Sequence, residues 1–307
     1  MERVKADLSL LLAAFIWGTA FIAQKTAVAT IGPLTFLACR FVLSALLLAP
    51  MAWAESRRRN DPLSPADWRL AQMVGLSLFG GMAIQQIGIV TTSTTNAGFL
   101  TAIYVVMVPV VAWVLTRRTP SVTVVAACTV SMAGAWMLEQ GGGAAQPWGM
   151  GDMLILFSDI FQALQMILVE RFLARHNRPM LLSFVQYAVI AVIGFAMAFI
   201  FETVSWEGIR AVAPAILYAG LLSGGVAFTL QIIAQRHTPA AEAGIIMSLE
   251  SVFAALAGAL LLGDRLGPAG LAGCGLILAG VVLAQVLPLL RRNRLEQAAP
   301  SQQDAPN

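Results

Sequence analysis

Long uncharged apolar stretches separated by short polar connections dominate the chain. Residues 119–138, 179–201, 211–235 and 266–290 hold no Asp, Glu, Lys or Arg. Each is about the 20 residues that a helix rising ~1.5 Å per residue needs to cross a hydrocarbon core. The window 70–116 is also uncharged, but its 47 residues are twice too long. The polar run Thr91-Thr92-Ser93-Thr94-Thr95-Asn96 at its middle predicts a tight turn between two antiparallel spans. Runs near 8–28, 33–54, 149–172 and 240–262 complete the pattern, each tolerating one or two charges. The reading is an all-α membrane protein with ten transmembrane spans, numbered 1 to 10 along the chain.

Composition agrees with the pattern. Of 307 residues 58% are hydrophobic and 11% charged, with a mean hydropathy of +0.78. A soluble domain carries about a quarter charged residues. Cys39, Cys128 and Cys274 lie in apolar runs and indicate no disulfide framework. His176 and His237 stand apart at span ends, so no metal site or cofactor is expected.

The 17 arginines and two lysines set orientation. With the N-terminus inside, the inside segments hold Arg3, Lys5, Arg57, Arg58, Arg59, Arg69, Arg117, Arg118, Arg171, Arg175, Arg178, Arg236, Arg291, Arg292 and Arg294, against Arg210 and Arg265 outside. Both termini are expected in the cytoplasm, and the basic charge implies an oriented chain rather than a nucleic-acid partner. The first span, after Arg3 and Lys5, is read as an uncleaved helix.

A shift of 146 residues lays spans 3 to 5 on spans 8 to 10 without a gap. Gln85 falls on Gln231, Ala97-Gly98 on Ala243-Gly244, Cys128 on Cys274 and Ala133-Gly134 on Ala279-Gly280. Nine of the 43 pairs from 92 to 134 are identical, where this composition gives roughly one in twelve by chance. Two five-span halves, 1–145 and 146–290, must cross the membrane in opposite senses because five is odd, and such inverted repeats imply alternating access. Residues 291–307 read as a disordered cytoplasmic tail.

Several short runs carry a resemblance. Trp17-Gly18-Thr19-Ala20-Phe21, Arg40-Phe41, Asn96-Ala97-Gly98-Phe99-Leu100 leading to Pro109, Ser248-Leu249-Glu250-Ser251-Val252-Phe253-Ala254-Ala255 and Leu262-Gly263-Asp264-Arg265 resemble the EamA branch of the drug/metabolite transporter superfamily. Asp264 stands where that pattern favours Glu, and Ser251 where it often has Pro. The resemblance implies a central cavity lined by spans 1 to 4 and 6 to 9. Spans 5 and 10 would lie to the side, where a homodimer would form.

Ionisable groups at membrane depth cost about 2.5 to 3.5 kcal/mol each on the insertion scale, so each needs a partner or a hydrated cavity. Glu250 lies about 10 Å into span 9, and its repeat mate Tyr104 lies at a comparable depth in span 4. Asp159 stands at a similar depth in span 6, with Gln162 one turn on. Glu250 and Asp159 are candidates for substrate binding and for carrying a coupling proton. The competing reading is a structural ion pair, for which Arg40 in span 2 is the candidate cation. Trp17, Phe21 and Gln24 form a stripe on span 1 suited to a flat or apolar ligand, although packing alone also explains such a stripe. Gln85, Gln86, Gln231 and Gln235 are interhelical polar contacts by default, Gln85 and Gln231 being further substrate candidates. Gly258, Gly270, Gly273, Gly275 and Gly280 are expected to bring spans 9 and 10 close together.

The functional expectation is an inner-membrane secondary transporter exporting a small metabolite, amino acid or drug-like compound, with a proton as first candidate for the coupling ion and facilitated diffusion as the alternative. No GxxxxGK[ST] run is present to bind ATP. An importer or a lipid flippase is the alternative within the class. A membrane enzyme or scaffold lacks its signs here: no nucleophile stands beside a base, and no long soluble loop interrupts the spans.

Overall fold

A computed structural model describes residues 2–59, 61–92, 97, 100–140, 149–257, 259–260 and 267–298, without the side chains of 21, 22, 25, 26, 139, 140 and 285–298. Helix α1 is Glu2–Val28, α2 Pro33–Arg57, α3 Pro65–Thr91, α4 Leu100–Thr116, α5 Val122–Gln140, α6 Met150–Leu173 and α7 Pro179–Phe201. After a short surface helix, Trp206–Ala211, come α8 Ala213–Ala234, α9 Ala240–Ala257 and α10 Pro268–Ala298. Among the described residues α2, α3, α6, α7, α8 and α9 are long and apolar enough to cross a membrane, and α4, α5 and α10 contain shorter apolar helices. The turn expected around 93–96 and the Asp264-Arg265 pair lie outside the described residues. Segment 291–298 is helical as the continuation of α10.

Local chemistry sets the helix ends. Pro33, Pro65, Pro179 and Pro268 stand at first-turn positions, where the missing N–H is not needed. Ser64 and Asp67 cap α3 reciprocally. Asp152 accepts the Gly149 N–H at 2.7 Å to open α6. Arg117, at φ 57°, closes α4 in the left-handed region.

The two halves interlock. Helix α1 packs on α8 and α9, α6 packs on α3 and α4, α2 pairs with α7, and α5 pairs with α10. All four associations cross from residues before 145 to residues after it. At the arginine-rich end the contacts are polar. Arg3 pairs with Glu242; Thr238 donates to Asp7 at 3.0 Å; Glu170 of α6 accepts the Ala240 N–H at 2.9 Å and so caps α9. His176 lies 3.0 Å from Asp67, and Arg178 3.0 Å from Asp61. The Arg178 hydrogen bond holds the Asp61 carboxyl below the usual carboxylate range.

The α2–α7 pair is capped at both ends by the opposite helix. Glu55, near the end of α2, accepts the Leu181 N–H at 2.8 Å. Glu202, just past α7, accepts the Leu34 and Thr35 N–H groups at 2.8 Å each and the Thr35 hydroxyl at 2.7 Å. Residues 34 and 181 are 147 apart, and so are 55 and 202. The caps are thus related by nearly the offset that aligns the halves in sequence, and each places a carboxylate at the positive end of a helix dipole.

Small residues join α5 to α10. A Cβ on Gly134 would lie 2.7 Å from Gly273 O and from Ile277 N, and Gly280 faces Ser131. For Gly273 and Gly280 this corrects the expectation that the glycines bring spans 9 and 10 together; Gly258 lies outside the described residues. Gly273 and Gly280 serve the α5 contact, and a Cβ on Gly275 would meet nothing within 4 Å among the described residues. Smallness permits close approach to any neighbour, and the crossing of α5 and α10 decides which. Large apolar side chains such as Leu46, Val192, Phe199 and Leu260 are exposed on the outer surface, as hydrocarbon-facing positions require.

Candidate functional site

A cavity lies between the halves. Its walls come from α1 (Trp17, Gln24), α2 (Arg40), α3 (Met82, Gln85), α4 (Thr101, Tyr104), α6 (Gln162, Gln165, Met166), α8 (Ser223, Phe228, Gln231) and α9 (Met247, Glu250). Among the described residues, none of α5, α7 or α10 lines it.

Seven of the substrate-binding residues expected from sequence stand on these walls: Trp17, Gln24, Gln85, Tyr104, Gln162, Gln231 and Glu250. The Phe21 side chain lies outside the described residues. Asp159 does not line the cavity. It is fully buried, with no hydrogen-bond partner for either carboxylate oxygen among the described residues. It still lies near enough to Glu250 and Tyr104 to interact with both electrostatically. The Glu250 side chain is also buried, and its Oε1 and the Tyr104 hydroxyl have no partner among the described residues.

Arg40 differs from expectation. No carboxylate lies within 4.0 Å of it among the described residues. Instead Nη1 donates to Gln24 Oε1 at 2.9 Å and Nη2 to Met82 Sδ at 3.1 Å. The guanidinium carbon lies 5.6 Å from the Phe36 ring centroid and 5.0 Å from that of Phe41. Aromatic faces attract a poorly hydrated guanidinium, so a buried site without an acid can hold it. The ion pair between Arg40 and Glu250 or Asp159 is replaced by this arrangement.

The aromatic wall is a joint between halves. Trp17 lies 4.4 Å from Phe228, ring centroid to centroid, and its indole N–H donates to Ser223 O at 3.1 Å. Ser223 belongs to a π-helical stretch, Tyr218–Ala227, inside α8. Irregular helix of this kind often marks a functional site. Ser44 of α2 donates to Gly220 O at 2.7 Å within the same stretch. Loss of the indole bond in Trp17→Phe, which keeps an aromatic ring there, is expected to lower stability by about 1 kcal/mol. Thermal unfolding of the purified protein measures this, and an unchanged midpoint contradicts it.

Gln165, Met82, Met166, Met247, Thr101, Ser223 and Phe228 are cavity residues that sequence reasoning missed. Gln165 follows Gln162 by three positions, a same-face spacing that was available as a signal. Methionines in an apolar helix carry no signal that separates wall from core. An amide network backs this side. Gln165 Nε2 donates to Gln186 Oε1 at 3.2 Å, Gln231 Nε2 to both Gln165 Oε1 and Gln235 Oε1 at 3.3 Å, and Gln235 Nε2 to Met166 O at 3.0 Å. Across the cavity Gln85 Nε2 donates to Thr101 Oγ1 at 3.0 Å. Among the described residues no cluster of His, Cys, Asp or Glu could hold a metal.

The model of the EamA-like transporter family matches residues 4–139 and 149–285. An uncharacterized transporter of Archaeoglobus fulgidus is 29% identical over 286 residues, 93% of this chain and 87% of that protein. The uncharacterized transporter YwfM of Bacillus subtilis is 24% identical over 299 residues, covering 95% and 97% of the two chains. A solved crystal structure, 18% identical in sequence, shares the fold with a TM-score of 0.76 over 95% of this chain and 98% of its own.

Proposed function

Because this chain belongs to the EamA-like transporter family through both of its halves, we propose that it is a secondary exporter working by alternating access. Ten spans in two inverted five-helix repeats carry a small metabolite, amino acid or drug-like compound out across the inner membrane, with both termini in the cytoplasm. The observation that carries this reading is the cavity between the halves, where Glu250 lines the wall with an unpartnered carboxylate oxygen. The reciprocal caps at the 147-residue offset support the inverted repeat. The lopsided arginine distribution supports the orientation.

Glu250 and Asp159 carry the coupling proton in this reading. A carboxyl group without a fixed cationic partner, in a poorly hydrated site, binds a proton or a ligand cation in turn, and the exchange links the two fluxes. The test begins with a thermal-shift screen of amino acids, amines, nucleosides and dyes to choose a substrate. Uptake of that compound into proteoliposomes is then measured with and without a pH gradient, for wild type and Glu250→Gln. A gradient should accelerate the wild type about tenfold and leave the variant unaffected; a tenfold rate difference corresponds to about 1.4 kcal/mol. Equal uptake in all four conditions removes the proton from the mechanism.

A further inference from the structure

We infer that the cavity recognises a monocationic amine, an ammonium group on an apolar or aromatic body. This rests on the transporter reading above and adds the chemical class of its substrate. The argument starts from the amide network. Met166 O is a backbone carbonyl and can only accept, so Gln235 must turn its Nε2 toward it. Gln235 Oε1 is then fixed as the acceptor facing Gln231, which must present Nε2 in return. The same Nε2 donates to Gln165 Oε1, so Gln165 presents its own Nε2 to Gln186. One carbonyl thereby sets the polarity of four side chains. The result leaves Gln231 Oε1 as an acceptor with no partner on a cavity-lining residue.

Several wall donors are engaged. The Trp17 indole N–H is taken by Ser223 O and Gln85 Nε2 by Thr101, while Arg40 places one N–H of each terminal nitrogen on Gln24 and Met82 and keeps Nε unpartnered among the described residues. Gln24 Nε2 and the Gln162 amide remain as neutral donors. Of the acceptors, Glu250 Oε1 and Gln231 Oε1 are unpartnered, and the Tyr104 hydroxyl can accept as well. Buried acceptors left unmade are costly, and a ligand that donates N–H bonds to them is favoured.

Charge points the same way. Away from the helix ends, the ionisable acids and bases among the described side chains of the spans are Arg40, Asp159 and Glu250, one cation and two acids. The guanidinium lies between Phe36 and Phe41, and neither acid pairs with it. With both acids ionised, a single positive charge balances this set of three, whereas a zwitterion or an anion does not. Trp17 and Phe228, with Met82, Met166 and Met247, provide a polarisable surface for the body of the ligand.

The experiment uses four probes of similar size: 2-phenylethylamine, 2-phenylethanol, L-phenylalanine and 3-phenylpropionate. Binding to the purified protein in nanodiscs is measured by calorimetry, and exchange in proteoliposomes by counterflow of the labelled amine. The amine should bind about ten to a hundredfold more tightly than the alcohol, the range of a charge-assisted hydrogen bond, and more tightly than the amino acid or the acid. In Gln231→Met the amine should lose about tenfold. In Gln235→Met the Gln231 amide is no longer held in one sense, and the preference for amine over 3-phenylpropionate should narrow. Binding of the alcohol, amino acid or acid as tight as that of the amine overturns the inference and leaves the transporter reading intact. Tight, selective amine binding without counterflow upholds the inferred ligand class and overturns the transport reading.

Discussion

Gly18→Val is expected to abolish transport and to destabilise the protein by about 3 kcal/mol, the upper end of the cost of overpacking a tight contact. A Cβ at Gly18 would stand 2.5 Å from Glu250 O, 2.8 Å from Ala254 N and 2.8 Å from Phe253 Cβ. Two of these three atoms are backbone, so no side-chain rotation relieves the overlap and α1 must move away from α9. Trp17 is the adjacent residue and Glu250 the one being displaced, so the shift spreads two cavity walls. Gly275→Val provides the comparison, since a Cβ there meets nothing within 4 Å among the described residues, and it should change stability by less than about 0.5 kcal/mol. Unfolding of both variants in detergent, followed with proteoliposome uptake, measures the difference. A Gly18→Val protein as stable and active as Gly275→Val would show that α1 and α9 do not meet in this way.

Removing the carboxylate of Glu202 should cost about 2 to 3 kcal/mol, and removing that of Glu55 about 1 kcal/mol. Glu202 accepts three hydrogen bonds at the start of α2, whereas Glu55 accepts one at the start of α7. Helix N-terminal N–H groups have no partner within their own helix, so each lost acceptor exposes a donor. Chemical denaturation of Glu202→Ala and Glu55→Ala tests the order. If the Glu55 variant is the less stable one, the caps are not what holds α2 against α7.

Much of this architecture could be read from residue order, because lipid enforces it. Uncharged runs of about 20 residues have no soluble alternative, and the one 47-residue run resolves into α3 and α4. Polar residues in such runs are rare enough that Trp17, Gln24, Gln85, Tyr104, Gln162, Gln231 and Glu250 could be singled out, and all line one cavity. What could not be read depends on pairings between helices. Arg40 offers a charge, but nothing in the order of residues says that Gln24, Met82 and two phenyl rings surround it instead of an acid. Asp159 has the depth of Glu250, yet a rotation of α6 leaves it behind the wall that Gln162 and Gln165 form. The π-helical stretch in α8 alters the register that regular periodicity assumes. Gly273 advertises a close neighbour without saying which one.

The mutual capping of α2 and α7 bears on how the polypeptide is assembled during synthesis. The residue that completes the start of α2 is Glu202, which leaves the ribosome some 170 residues later. Until then the Leu34 and Thr35 amides must be satisfied by water or lipid headgroups, and α1 lacks the α8 and α9 surfaces it will occupy. The amino-terminal five helices are therefore not a finished module awaiting a twin. A nascent chain stalled after α5 should remain loosely associated and open to proteolysis, maturing only when α7 through α9 arrive.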